Sequence, residues 1–131
     1  MTSIDYLSAQ DILLIHSRIV EQTGGSDGVR DPHTVATLEG LPQQEAYGKE
    51  LYSSVYTKAA VYMRNIITAH PFIDGNKRTG VAAAENFLVR NGYKINAPQG
   101  EIERFVLSVI AERLPLEAIA EWLEKNSKKV S

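Results

Sequence analysis

His70-Pro71-Phe72-Ile73-Asp74-Gly75-Asn76-Lys77-Arg78-Thr79-Gly80 stands between two segments of helical period, and its reading decides the fold. Upstream, from Leu51, the residues Tyr52, Val55, Tyr56, Ala59, Tyr62, Met63 and Ile66 recur at steps of three and four. The next step of four is His70, so the buried stripe delivers this histidine to the mouth of the core. Pro71 prevents the helix from continuing with normal hydrogen bonding. Downstream, Val81, Ala82, Ala83, Ala84, Phe87, Leu88 and Val89 predict a second central helix over 79–91, closed by Gly92. Its small residues let neighbouring helices approach closely.

The stretch itself has the parts of a phosphate-handling site. Gly75 frees the backbone for a tight turn. A helix starting near Lys77 or Arg78 presents unpaired N–H groups and the positive end of its dipole to an anion. Lys77 adds a point charge and Arg78 a bidentate fork. Asp74 is a hard oxygen ligand of the kind Mg²⁺ uses together with substrate phosphates. His70 is the candidate general base for a hydroxyl proton. Together these suggest transfer of a phosphorus group from a Mg²⁺-nucleotide to a hydroxyl. Taken singly, each residue is better read as a solvated charge or a satisfied histidine. The ordered set between two apolar helices reverses that judgement.

Two other motifs are set aside. Gly75 to Gly80 has the glycine spacing of a phosphate-binding P-loop, but Val81-Ala82 stand where Lys-Ser/Thr is required, and a helix precedes instead of a strand. Zinc is disfavoured because His70 has no second His or Cys at ligand spacing.

Working outward, Ser8 reads as an N-cap with Asp11 as a weak capping-box partner. Ile12, Ile15, Ile19 and Val20 then recur at helical spacing up to Gly24-Gly25. His16 lies on that stripe and reads as a core or boundary histidine. Residues 24–31 are loop by composition, and Asp31-Pro32 opens a short helix to about Glu39, with His33 exposed in its first turn. Residues 42–50 form a second loop, and the two flexible stretches could make a flap over a site. Tyr93-Lys94-Ile95 is a short extended piece. Ile102 to Ile110 and Leu116 to Leu123 mark two more helices, and the tail from Asn126 is polar and expected to fray. The class is all-α, with about six helices.

The 131 residues fit one domain, and 44% hydrophobic with 23% charged residues is ordinary for a soluble globular chain. A net charge of −2 argues against a basic surface for duplex nucleic acid. The absence of cysteine excludes disulfides and thiolate metal sites. The N-terminus lacks the basic and apolar regions of a secretory signal. Apolar runs of about four residues fall far short of the ~20 a membrane span needs, so a cytoplasmic protein is expected.

The nine residues from His70 to Arg78 resemble the Fic/Doc signature, H-P-F-x-D/E-G-N-G/K-R, and more narrowly its death-on-curing branch, the toxins of toxin–antitoxin modules. Gly24-Gly25, Asp31-Pro32 and the Tyr47 region resemble the flap of that branch, and Phe87-Leu88 to Asn91-Gly92-Tyr93 resembles the end of its central helix. The resemblance implies an all-helical Fic fold over 1–131, with 24–50 as flap-like loops and a short helix and 70–78 as the active-site loop; the polar composition of 127–131 predicts a disordered tail. It implies His70 as general base and Phe72 as the anchor of the loop in the core. Asp74 would hold Mg²⁺, and Gly75, Asn76, Lys77 and Arg78 would hold the phosphates of ATP or a related nucleoside triphosphate.

Lys77 bears on the reaction. AMP-transferring members carry glycine there, whereas death-on-curing proteins carry lysine and are associated with transfer of the γ-phosphate. The implied target is a threonine of elongation factor Tu, and the implied outcome is translation arrest. Gly75 and Pro71 follow the AMP-transferring branch, so protein AMP transfer is the alternative. The family's inhibitory motif, S/T-x-x-x-E-G/N, is not matched: Glu39-Gly40 and Glu85-Asn86 have Val35 and Val81 at the hydroxyl position. Inhibition is therefore expected from a separate antitoxin, through which alone nucleic acid would be contacted. A non-catalytic antitoxin-binding module is the rival from another class, and a metal-dependent phosphate-ester hydrolase a weaker one. A broken motif would mark the former, and this motif is intact.

Overall fold

A computed structural model of the chain describes residues 3–130; Met1 and Thr2 of the N-terminal reading and Ser131 of the expected tail lie outside it. The order is α1 (Ala9–Thr23), α2 (Pro32–Leu38), a 3-10 turn (Leu41–Gln43), β1 (Glu45–Ala46), β2 (Lys49–Glu50), α3 (Val55–Ala69), α4 (Asn76–Arg90), β3 (Tyr93–Ile95), α5 (Gln99–Ala111), α6 (Leu116–Lys125) and β4 (Ser127–Lys129). The expected all-α class holds: six α-helices carry the core, and the strands form two antiparallel two-stranded ribbons, β1–β2 and β3–β4. No helix among the described residues is long and apolar enough to cross a membrane.

The centre is the pair α3 and α4. Tyr62, Met63, Ile66 and Ile67 of α3 and Ala83, Ala84, Phe87 and Leu88 of α4 are buried in one cluster. Gly80 lets the two helices touch, because a Cβ there would lie 2.8 Å from Ile67 Cγ1 and 3.2 Å from the Met63 carbonyl oxygen. Ile12 of α1, Val106 and Val109 of α5, and Ile119 and Leu123 of α6 close the cluster from the sides. Phe105 stacks on Trp122 at 4.2 Å and joins α5 to α6. The buried Tyr62 hydroxyl accepts from the Leu7 N–H at 3.0 Å, and burial pushes its phenol up to about 12.

Local chemistry explains the helix starts. Ser8 and Asp11 form the expected capping box on α1, and Asp31 caps α2 with Pro32 in its first turn. For α3 the start is Val55, not Leu51: the Ser54 side chain accepts from the Thr57 N–H, while the Leu51 N–H donates to Gln44 and closes the β1–β2 hairpin. Residues 42–50 are thus more ordered than a plain loop. Buried Lys58 holds the hairpin to α3, donating to Glu50 Oε1 at 3.0 Å and to the Tyr52 carbonyl. Helix α4 starts three residues before Thr79, where Gly75 turns left-handed (φ 78°). Val89 lies outside the buried face, 59% exposed, because one residue past Leu88 is a rotation of about 100° round the helix.

The tail is the clearest correction. Ser127–Lys129, expected to be frayed or disordered, pair with Tyr93–Ile95, and the Val130 N–H donates to Gly92 at 2.8 Å. Backbone groups of β3 supply partners to a segment whose own side chains show no apolar period.

Candidate active site

Residues 70–75 connect the C-terminus of α3 to the N-terminus of α4. His70 ends α3 in the left-handed region (φ 50°, ψ 59°), with its N–H still donating to Ile66 at 3.3 Å. A non-glycine residue holds this conformation only where its surroundings over-determine it. Here the surroundings are Arg30. Its Nε and Nη2 donate to the His70 carbonyl at 2.8 and 2.6 Å, and Nη2 also donates to Ala69 at 2.9 Å. The backbone N–H groups of Arg30 and Asp31 donate to Pro71, and Ile73 donates to Gly28. The 28–31 segment therefore runs alongside the loop as a strand-like splint, with Val29 bridged to Phe72.

Phe72 is 1% exposed, and its ring lies on His16 with centroids 3.8 Å apart and planes within 7°. The expected anchor is in the core. Asn76 departs from its expected use. Its Oδ1 accepts from the Phe72 N–H at 3.0 Å and its Nδ2 donates to the Phe72 carbonyl at 2.9 Å. Both ends of the side chain shape the loop, so what Asn76 can offer a phosphate is its backbone N–H in the first turn of α4.

His70, Asp74, Gly75, Lys77 and Arg78 line one open cleft of about 750 Å³ together with Arg30 and Gly24-Gly25. The His70, Asp74, Lys77 and Arg78 residues are solvent-exposed, whereas Pro71 and Phe72 between them are buried. Phe72 therefore faces the core and the charged residues face solvent, while Ile73, 55% exposed, stays on the solvent side with them. Lys77 and Arg78 also border an adjoining hollow of about 440 Å³ between α1, α4 and α5, walled by Ile19, Val81 and Ile102. Glu85 lines it with an exposed side chain, and partial desolvation by the surrounding walls raises its carboxyl above the usual range.

Helix α4 begins without a side-chain cap and without an acid in its first turn. Its leading N–H groups and the two cations Lys77 and Arg78 make this helix start suited to an anion. Among the described residues no group of three or more His, Cys, Asp or Glu side chains is placed to hold a metal ion by itself. Asp74 is the one carboxylate on the loop. A lone carboxylate beside a phosphate site fits Mg²⁺, which keeps several waters and takes further oxygens from substrate phosphates.

Arg30 and His16 are the site's supports, and sequence reading missed one and half-placed the other. His16 was expected in the core and is there, 1% exposed, but it also bonds the loop: its Nε2 lies 2.8 Å from the Asp74 carbonyl. Nothing in the order of residues ties Arg30 to a helix end forty positions away.

The comparisons with known proteins agree on one family. A family model described as the Fic/DOC family matches residues 6–88. The chain is similar to "Toxin Doc" of Mycolicibacterium smegmatis, 36% identical over 93 residues, covering 71% of this chain and 69% of that protein. It is also similar to "Protein kinase doc" of Escherichia phage P1, 24% identical over 121 residues, 92% and 94% of the two chains.

Proposed function

The chain belongs to the Fic/DOC family, and from that premise we propose that it is a toxin that transfers the γ-phosphate of ATP to a Ser or Thr hydroxyl of a protein. The observation that supports this is the gathering of His70, Asp74, Lys77 and Arg78 around one cleft at the open end of α4. The names of the two relatives, a toxin and a protein kinase, point the same way.

In the proposed reaction the His70 imidazole takes the proton of the target hydroxyl. The hydroxyl oxygen then forms a bond to the γ-phosphorus, the bond from that phosphorus to the β,γ-bridging oxygen breaks, and ADP leaves with the electron pair. Lys77, Arg78 and the N–H groups opening α4 neutralise the charge that builds on the phosphates. Asp74 would hold Mg²⁺, which supplies further charge neutralisation across the phosphates. Phe72, Asn76, His16 and Arg30 keep the loop in shape while this happens.

Lys77 is the residue assigned to choose the phosphate. Glycine there would leave bare backbone for an α-phosphate; lysine fills that space with a four-carbon stem and a charge. Incubation with cell extract and labelled ATP tests the choice. The γ-label should mark the target and the α-label should not, with ADP as product, and Lys77→Gly should weaken phosphotransfer. An α-labelled target overturns the reading in favour of AMP transfer, the rival that Pro71 and Gly75 favour. By resemblance the target is a threonine of elongation factor Tu in the cytoplasm. Because no self-inhibitory motif is present, a separate antitoxin is the proposed restraint.

A further inference from the structure

We propose that His16 is a positioning residue for Asp74, an imidazole between two loops that sets how the Asp74 carboxylate and the Gly75 N–H face the cleft. The inference rests on the reading of Asp74 as a Mg²⁺ ligand.

His16 sits in the middle of α1, and both of its ring nitrogens meet partners outside that helix. Nε2 is 2.8 Å from the Asp74 carbonyl oxygen; a carbonyl can only accept, so Nε2 carries a hydrogen. Nδ1 is 3.5 Å from Asp27 Oδ1, an ion pair when that nitrogen carries a hydrogen too, and the Asp27 carboxylate accepts from Ser17 Oγ at 3.1 and 3.2 Å. Ser26, next to Asp27, donates its N–H to Asp74 Oδ2 at 2.8 Å. The contacts close a ring that runs from His16 to Asp74, through Ser26 to Asp27, and back to His16.

The ring fixes Asp74 at two points. Its carbonyl is held on the α1 side, and one carboxylate oxygen is held by the 24–31 loop. Because a peptide is planar and trans, a carbonyl drawn toward His16 turns the following N–H, that of Gly75, to the opposite side. The other carboxylate oxygen, Oδ1, has no protein donor among the described residues. Stacking on Phe72 removes the ring's remaining freedom. An apolar side chain would fill this buried position without bringing a polar group that needs partners. What the imidazole adds is the hold on the loop. It is an outer-shell support of the kind that orients a ligating carboxylate.

The test is the affinity of the full chain for Mn²⁺ with the β,γ-imido analogue of ATP, followed by the magnetic resonance of free Mn²⁺, with thermal unfolding recorded alongside. His16→Phe keeps the ring and the stack but loses both polar contacts, and the complex should loosen roughly 10-fold to 100-fold. His16→Gln restores a donor toward the Asp74 carbonyl and should return most of that loss. A folded His16→Phe protein with wild-type affinity overturns the inference, as does a Gln variant as loose as the Phe variant. If the substitutions at position 16 do not fold, Asp27→Ala decides: this exposed side chain can be removed without touching the core. Weaker binding there supports the inference and unchanged binding overturns it. The parent reading fails separately. If wild type does not bind the Mn²⁺ complex, or Asp74→Asn binds it equally well, Asp74 is not the ligand and the His16 inference falls with it.

Discussion

The two helix ends that meet at the loop are finished in opposite ways. The C-terminus of α3 is closed by the protein itself: His70 turns left-handed and the Arg30 guanidinium covers the carbonyls of Ala69 and His70. That cation also complements the negative end of the helix dipole. The N-terminus of α4 is left open, because Gly75 has no side chain with which to cap it. By contrast Ser8, Asp31 and Ser54 cap α1, α2 and α3. Helices α5 and α6 also start without a side-chain cap, behind Pro98 and Pro115, but each carries an acid in its first turn, Glu101 and Glu117. Among the helices of the described residues, only α4 combines an uncapped start with cations against its dipole. That arrangement costs stability unless an anion arrives. The difference bears on where a ligand belongs: the closed end fixes the backbone of His70, and the open end is where the proposed function puts phosphate.

Four substitutions or conditions break or sharpen this contrast. The largest effect is expected from His70→Ala, which removes the group the closed end aims. Transfer should fall by about 10²–10⁴-fold while the melting temperature stays near wild type, since Met63 and Ile66 hold α3. A rate within a factor of a few of wild type rules His70 out as the base.

Next comes Phe72→Ala, which takes away the floor beneath both ends. Loss of a fully buried phenylalanine should cost about 3–5 kcal/mol in denaturant unfolding. A loss under about 1 kcal/mol would mean that the loop is held by its hydrogen bonds instead.

Arg30→Ala opens the closed end. Arg30 is exposed, so solvent discounts its charge-assisted bonds, and about 1 kcal/mol of stability should go. The sharper consequence is kinetic. With the left-handed turn released, transfer should slow by about tenfold or more even in fully folded protein, as expected when a positioned group is displaced. Equal rates at saturating nucleotide and target would show that His70 needs no such grip.

The smallest effect concerns the capped ends and acid. The backbone N–H of Ser8, with Arg90 as the main side-chain contributor, holds the Asp11 carboxyl below its usual 3.8. A depressed folded-state value means that Asp11 contributes stability above about pH 4, and that the contribution disappears as pH falls through the lower folded value. Asp31, bonded to Thr34, behaves in the same direction. Thermal melts of wild type and Asp11→Asn should differ slightly at pH 7 and converge near pH 2.

Most of the architecture was legible because helices leave local marks. The capping box at Ser8, Asp31-Pro32, the period from Val55 to Ile66 and the glycines at the ends are all short-range patterns. Where local marks are weak, expectation and structure part. Leu51 and Tyr52 continue the apolar spacing, yet Ser54 captures the helix start. The polar residues 127–129 are ordered by partners more than thirty positions upstream.

The site divides in the same way. Residue order alone carried the chemical inventory, the succession of imidazole, carboxylate, ammonium and guanidinium, and the two helices that flank it, because a helix period and a proline between two helices are properties of neighbouring residues; the anchoring of Phe72 was expected only from the family resemblance. Only the tertiary structure decided that the Asn76 side chain faces the loop backbone, that Arg30 closes α3, and that His16 bonds Asp74. Each of these satisfies a backbone polar group in the loop between two helices, where the regular helix ladder supplies no partner. Which distant side chain fills such a place depends on how α1 and the 24–31 segment pack against the loop, and spacing along the chain carries no record of that.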